Sequence, residues 1–119
     1  MSTRSNIAIR VKSSDYEKVS NVIGVEVNDN TPYIQIYSHN DGYPSHMLDE
    51  LESYFDNYDD ALEMILEGCT SGIYSGESRA YKYQGESYED NAPWPLEHPT
   101  LDECYLYTFE DNKWNVKGH

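Results

Sequence analysis

Carboxylates carry the strongest chemical signal in this chain. Residues 41 to 67 contain Asp41, Asp49, Glu50, Glu52, Asp56, Asp59, Asp60, Glu63 and Glu67, and no Lys or Arg. Asp49, Glu52 and Asp56 stand at i, i+3 and i+7, and Asp60, Glu63 and Glu67 repeat that spacing. Residues three or four apart on a helix lie ~5–6 Å apart at Cβ, so two such rows would form an array of charges spaced much like successive phosphates of a nucleic acid. Like charges so placed weaken a helix by ~0.2–0.5 kcal/mol per pair, and ordinary helix surfaces mix Lys with Glu. The plain alternative is that both rows are the solvated faces of two amphipathic helices.

Other constellations are weaker. His39, Asp41 and His46 form an H-x-D-x4-H cluster, but the spacing matches no standard zinc signature. Asp41-Gly42 reads more simply as a turn, with His39 ending a strand. Cys69 and Cys104 lack metal-type spacing and read as small packed residues with reduced thiols. No G-x-S-x-G, phosphate-binding loop, dinucleotide-binding glycine pattern or calcium loop occurs. The expectation is a protein that is not an enzyme and holds no metal or cofactor. Tyr33, Tyr37, Tyr81, Tyr83, Tyr105 and Tyr107 are expected to line one sheet face, either as a contact surface or as cover for the sheet.

Composition points the same way. Acidic residues outnumber basic ones 22 to 8 in 119 residues, a formal net charge of -14. Such a polyanion is repelled by DNA, RNA and anionic membranes and attracts a basic protein or a cation. Apolar content is 38 %, yet there are 12 Tyr and 2 Trp, more aromatic character than disordered acidic chains carry. No apolar run reaches the ~18 residues of a membrane helix, and the opening MSTRSN lacks the apolar core of a signal peptide. A cytoplasmic protein is expected.

The elements that must position these groups are legible as patterns. Ile7, Ile9 and Val11 alternate as in a half-buried strand. Ile23, Val25 and Val27 alternate as well, and Tyr33 to Tyr37 follows the turn cluster Asn28 to Pro32, so residues 22–37 are expected to form a hairpin. Pro44 suits a first helical turn, and Met47, Leu48, Leu51, Tyr54 and Phe55 share one helical face. Asn57 would cap a second helix carrying Ala61, Leu62, Ile65 and Leu66, ended by Gly68. A strand is expected over 79–83, an irregular loop over 84–100, and a hairpin from Cys104 to Val116 turning at Asp111-Asn112. The whole, residues 1–119, reads as a single α+β domain: an antiparallel sheet with two short amphipathic helices packed on it.

Three stretches carry a resemblance. Arg4-Ser5-Asn6-Ile7-Ala8, then Ile36 to Pro44, then Tyr105-Leu106-Tyr107 with Lys113-Trp114, resemble a group of small uncharacterised phage, prophage and mobile-element proteins. Members open on RSNIA and continue with IYCHWDGYP. Glu67 to Gly72 and Ala80 to Glu86 are similar to two later segments of that group, while Asn40 stands where the group has Trp, and Lys82 and Gln84 where it has Arg. The resemblance implies a bacterial host cell carrying a phage or prophage, and it brings no activity with it.

Together these expectations describe an acidic nucleic-acid mimic of the anti-CRISPR or antirestriction type. Its partner would be a basic, nucleic-acid-binding host protein, with no direct contact to nucleic acid or membrane. Asp49, Glu52, Asp56, Asp60, Glu63 and Glu67 would supply the charge, with Tyr43 and Tyr54 at the rim. The rival is a small structural or regulatory phage protein binding through the Tyr-rich sheet. A third reading, a metal-dependent enzyme built on His39, Asp41 and His46, ranks last.

Overall fold

The computed structural model describes residues 2–118. From the amino end the chain runs β1 (Ser5–Arg10), a 3-10 turn (Ser13–Asp15), α1 (Tyr16–Ile23), β2 (Tyr33–Ser38), α2 (Pro44–Tyr54) and α3 (Tyr58–Leu66). It continues through β3 (Thr70–Tyr74), β4 (Glu77–Ala80), a second 3-10 turn (Tyr81–Gln84) and α4 (Tyr88–Asn91) to β5 (Trp94–Leu96), β6 (Tyr105–Glu110) and β7 (Lys113–Gly118). The α+β class holds, and the sheet is mostly antiparallel, with β1–β6 and β2–β3 as its parallel pairings. Its order is β4-β3-β2-β1-β6-β7, with β5 paired to β2. β1 runs antiparallel to β2 and parallel to β6. Only chain-adjacent strands joined by a tight turn are obliged to run antiparallel, and β1 and β6 are separated by nearly the whole chain.

Register decides which residues meet. Ile7 stands opposite Ile36 and Tyr107, Ile9 opposite Ile34 and Phe109, and Phe109 opposite Trp114. These residues form one buried face, covered by Val19 and Ile23 of α1, Met47 and Leu51 of α2, and Ala61, Leu62 and Ile65 of α3. Each large side chain buried there is worth ~1.5–3 kcal/mol. On the other face Asn6, Ala8 and Gln35 are also buried. There the chain after β5 crosses the sheet: Gln35 Nε2 donates to the Thr100 carbonyl at 3.0 Å, Thr100 N–H donates back to Gln35 Oε1 at 3.0 Å, and Asp102 N–H donates to Asn6 Oδ1 at 3.2 Å.

This register corrects the expectation of a single tyrosine face. Tyr33 pairs with Arg10, and Tyr37 with Asn6, on the side opposite Tyr105 and Tyr107. Tyr107 is fully buried and donates its hydroxyl hydrogen to the Gly42 carbonyl at 2.6 Å, so it is a core residue. Alternation within each strand is real, but it does not reveal how the strands are aligned with one another.

The expected hairpin over 22–37 is also corrected. Residues 16–23 form α1, whose Val19 and Ile23 point inward four residues apart, and Gly24 closes it in the left-handed region at φ 79°. Val25 is exposed. Of the 79–83 strand only Arg79 and Ala80 are extended, and Tyr81 to Gln84 coil into the second 3-10 turn. The 84–100 stretch holds α4 and β5 rather than irregular chain throughout. The C-terminal hairpin forms as expected, with Asp111 and Asn112 both at positive φ in its two-residue turn. Cys69 is buried and its Sγ accepts the Tyr37 N–H at 3.4 Å, whereas Cys104 is exposed and not packed.

Candidate functional site

The two acidic helices meet at a short link. α2 starts at Pro44 and ends at Tyr54, and Phe55 leaves helical geometry at φ -134°. Asp56 therefore lies beyond the helix, and the expected row on α2 stops at Glu52. α3 begins as the sequence implies: Asn57 accepts the Asp60 N–H at 2.9 Å, with Asp59 and Asp60 in the first turn, where the helix dipole favours anions. Trp114 on β7 anchors the link by donating its indole N–H to the Phe55 carbonyl at 2.8 Å.

Between α3 and the β3–β4 hairpin runs a groove of about 490 Å³. Asp60, Glu63 and Glu67 line its helical wall together with Met64; Gly76, Glu77 and Ser78 line the hairpin wall; Tyr54, Phe55 and Tyr83 complete it. Tyr54 and Tyr83 are 49 % and 65 % exposed, large aromatic surfaces left to solvent. The hairpin is held against α2 by Glu50, which accepts the Gly76 N–H at 3.0 Å. Gly76 sits at φ 78° in the turn, and a Cβ there would come within 2.6 Å of the Tyr54 ring, so a side chain at this position would be strained and would displace the ring.

Of the six expected carboxylates, the structure brings Asp60, Glu63 and Glu67 to the groove. Asp49, Glu52 and Asp56 are exposed and lie off its lining. Tyr54 lines the groove, while Tyr43 caps the opposite end of α2, 40 % exposed. Sequence reasoning missed Glu77 and Ser78, and named Glu50 and Tyr83 without assigning either to this groove. Tyr83 was legible only as part of an alternating Tyr81–Tyr83 pair, and the 3-10 turn instead carries its hydroxyl to Glu67 Oε1, 3.1 Å away.

Electrostatics set this groove apart. Glu67 occupies the C-cap of α3, where the helix dipole opposes an anion. Burial pushes its carboxyl above the ordinary value, partly offset by the Tyr83 hydrogen bond and the charge of Lys82. Among the described residues, Arg10–Glu110 at 3.5 Å is the only ion pair of a Lys or Arg with a carboxylate. None of the groove's carboxylates forms an ion pair with a Lys or Arg among the described residues, although Glu67 accepts from the Tyr83 hydroxyl and Asp60 from the Asn57 amide. A second cleft of about 660 Å³ near Arg10, Lys12 and Tyr58 differs in this respect. There Arg10 pairs with Glu110 and Tyr33, and Lys12 lies 4.3 Å from the Tyr58 ring centroid.

The His39, Asp41 and His46 side chains do not converge. His39 Nδ1 shares a hydrogen bond with the Tyr37 hydroxyl at 2.6 Å, His46 Nε2 donates to the Ile73 carbonyl at 2.8 Å, and Asp41 accepts from the Tyr74 hydroxyl. Among the described residues no three His, Cys, Asp or Glu side chains are grouped to hold a metal ion, and no helix is long and apolar enough to cross a membrane. Comparison of the chain with protein-family models, curated proteins and solved structures finds no match.

Proposed function

We propose that this chain is a non-enzymatic binding protein that offers the acidic face of α2 and α3 to a basic, nucleic-acid-binding host protein. It would occupy the surface on which that protein holds DNA or RNA. In the phage or prophage setting that the sequence resemblance implies, the target is a defence protein, either a nuclease of an immune system or a restriction enzyme. One observation carries the reading: a groove rimmed by Asp60, Glu63, Glu67 and Glu77 has no Lys or Arg paired to any of them. Unneutralised carboxylates at helical spacing cost stability in the free protein and regain it against a cationic surface.

The test is capture from a bacterial lysate on the immobilised protein, washed at rising salt. A basic nucleic-acid-binding protein should be retained at low salt and released at high salt, and the variant E63K/E67K should fail to retain it. A salt-resistant partner, retained equally by the variant, would remove the mimicry reading.

A further inference from the structure

We propose that the outer edge of β7 takes up an extended acidic segment of a protein partner as an added antiparallel strand. This surface is separate from the acidic groove, because β4 and β7 stand at opposite ends of the strand order.

The backbone makes the edge available. β7 pairs with β6 along all six of its residues, without a register shift, and contains no proline. Among the described residues, no backbone hydrogen bond joins 113–118 to any segment other than β6. Alternate N–H and C=O groups of an edge strand point outward, a row with which another strand can pair. Every residue of β7 except Trp114 is exposed. The other free edges offer less. β4 has four residues, its ladder with β3 shifts between Thr70 and Ile73, and the chain coils away at Tyr81. β5 has three residues and contains Pro95.

Side chains then choose the occupant. Trp114 turns inward, its ring centroid 5.2 Å from that of Phe109, so Lys113, Asn115 and Lys117 stand on the other face. Lys113 and Lys117 are two of the eight basic residues in the chain, and β7 has no acidic one. Neither lysine is ion-paired among the described residues. Glu110, opposite Lys113, is paired with Arg10 at 3.5 Å. Charges beyond about 8 Å are largely screened at physiological salt, so these lysines outweigh the net charge of -14 at this edge.

Lysines on an edge strand oppose pairing with a like strand. Antiparallel pairing of two copies about Asn115 would set Lys113 of each against Lys117 of the other, like charges directly opposed. A second copy is therefore disfavoured, while an acidic strand meets partners at the same two positions. On the inner face Val116 is 40 % exposed, apolar surface that an added strand would cover. The geometry thus specifies five successive residues of the partner: acidic, apolar, unrestricted, apolar, acidic. They would stand opposite Lys117, Val116, Asn115, Trp114 and Lys113 in that order.

The experiment titrates peptides T-E-V-T-V-E-T and T-K-V-T-V-K-T into the full chain, followed by calorimetry and backbone NMR. The acidic peptide should bind at least about tenfold more tightly, with shifts centred on residues 113–118 and slowed amide exchange there. Proline in place of both valines keeps the charge but removes ladder donors, and should abolish binding. K113E/K117E should reverse the preference between the two peptides, whereas E63K/E67K should change acidic-peptide affinity by less than about threefold. Equal affinity for the two peptides, no binding of the acidic one, or undiminished binding of the proline peptide would overturn the proposal. Concentration-dependent shifts of 113–118 in the free protein would overturn it in favour of a second copy. The peptide titrations on the unaltered chain need no variant, so the proposal stays testable even if a substitution unfolds the protein. None of these outcomes bears on the acidic-face reading.

Discussion

The Tyr83 hydroxyl donates to Glu67 Oε1 across 3.1 Å, joining the 3-10 turn that follows β4 to the carboxylate that caps α3. One wall of the acidic groove is thereby tied to another. The bond holds down the Glu67 carboxyl, which burial otherwise raises.

Replacing Tyr83 with Phe should therefore move the Glu67 titration midpoint further up, as read by carboxyl-carbon NMR. Tyr83 is mostly exposed, so stability should change by no more than about 0.5 kcal/mol. A midpoint that stays in place or falls would show that the hydrogen bond does not govern Glu67.

Trp114→Phe tests the anchor of the link between the acidic helices. The substitution leaves the Phe55 carbonyl without its indole donor in a buried site and should cost about 1–3 kcal/mol in chemical denaturation. A loss indistinguishable from zero would mean that the link holds itself.

Gln35 tests the crossing on the opposite sheet face. Its amide makes three hydrogen bonds with Thr100, two donated and one accepted. Gln35→Ala should lower stability by about 1–3 kcal/mol and open the segment around residues 97–103 to limited proteolysis. An unchanged cleavage pattern would show that β5 and β6 hold this segment without the amide.

Buried tyrosines predict an alkaline limit to stability. Burial, reinforced by the hydrogen bond to Asp41, pushes the Tyr74 hydroxyl up to about 12, and burial likewise raises Tyr58 and Tyr107. The folded chain thus holds these protons more tightly than the unfolded chain, in which tyrosine titrates near 10.0. Their contribution is complete below that value and is lost as pH climbs toward about 12. Denaturation midpoints should fall across this window, with tyrosinate absorbance of the native protein lagging that of the unfolded chain. A flat midpoint through the window would contradict these shifts.

Elements with one dominant pattern could be read from the chain alone. Pro44, the Met47–Leu51 stripe and Asn57 mark α2 and α3 because starting residues and helical spacing agree there. The C-terminal hairpin was equally legible from alternation on both sides of Asp111-Asn112. Residues 16–27 carry two patterns at once. Val19 and Ile23 are four apart, while Ile23, Val25 and Val27 alternate, and the β-branched run argues for a strand by propensity. Packing favours the helix, and Gly24 ends it before Val25. β5 escaped because Pro95 interrupts a three-residue strand on a sheet edge, where proline is tolerated.

The groove was half legible. Asp60, Glu63 and Glu67 share a face by helical spacing alone, so their convergence follows from local geometry. Ser78, Glu77 and Tyr83 join them only because the β3–β4 hairpin packs against the helices, a long-range contact that no local pattern encodes. Asp56 was misplaced for a local reason: α2 unwinds after Tyr54.

The most direct test of the central claim is competition between this protein and nucleic acid for one surface. The partner captured from lysate is purified and loaded with labelled duplex DNA and, separately, with labelled RNA, and the protein is titrated in. The account predicts displacement of whichever nucleic acid the partner binds, with E63K/E67K at least about tenfold less effective, because both ligands present arrays of negative charge to the same basic groove. A ternary complex in which the nucleic acid stays bound while this protein also binds would contradict it.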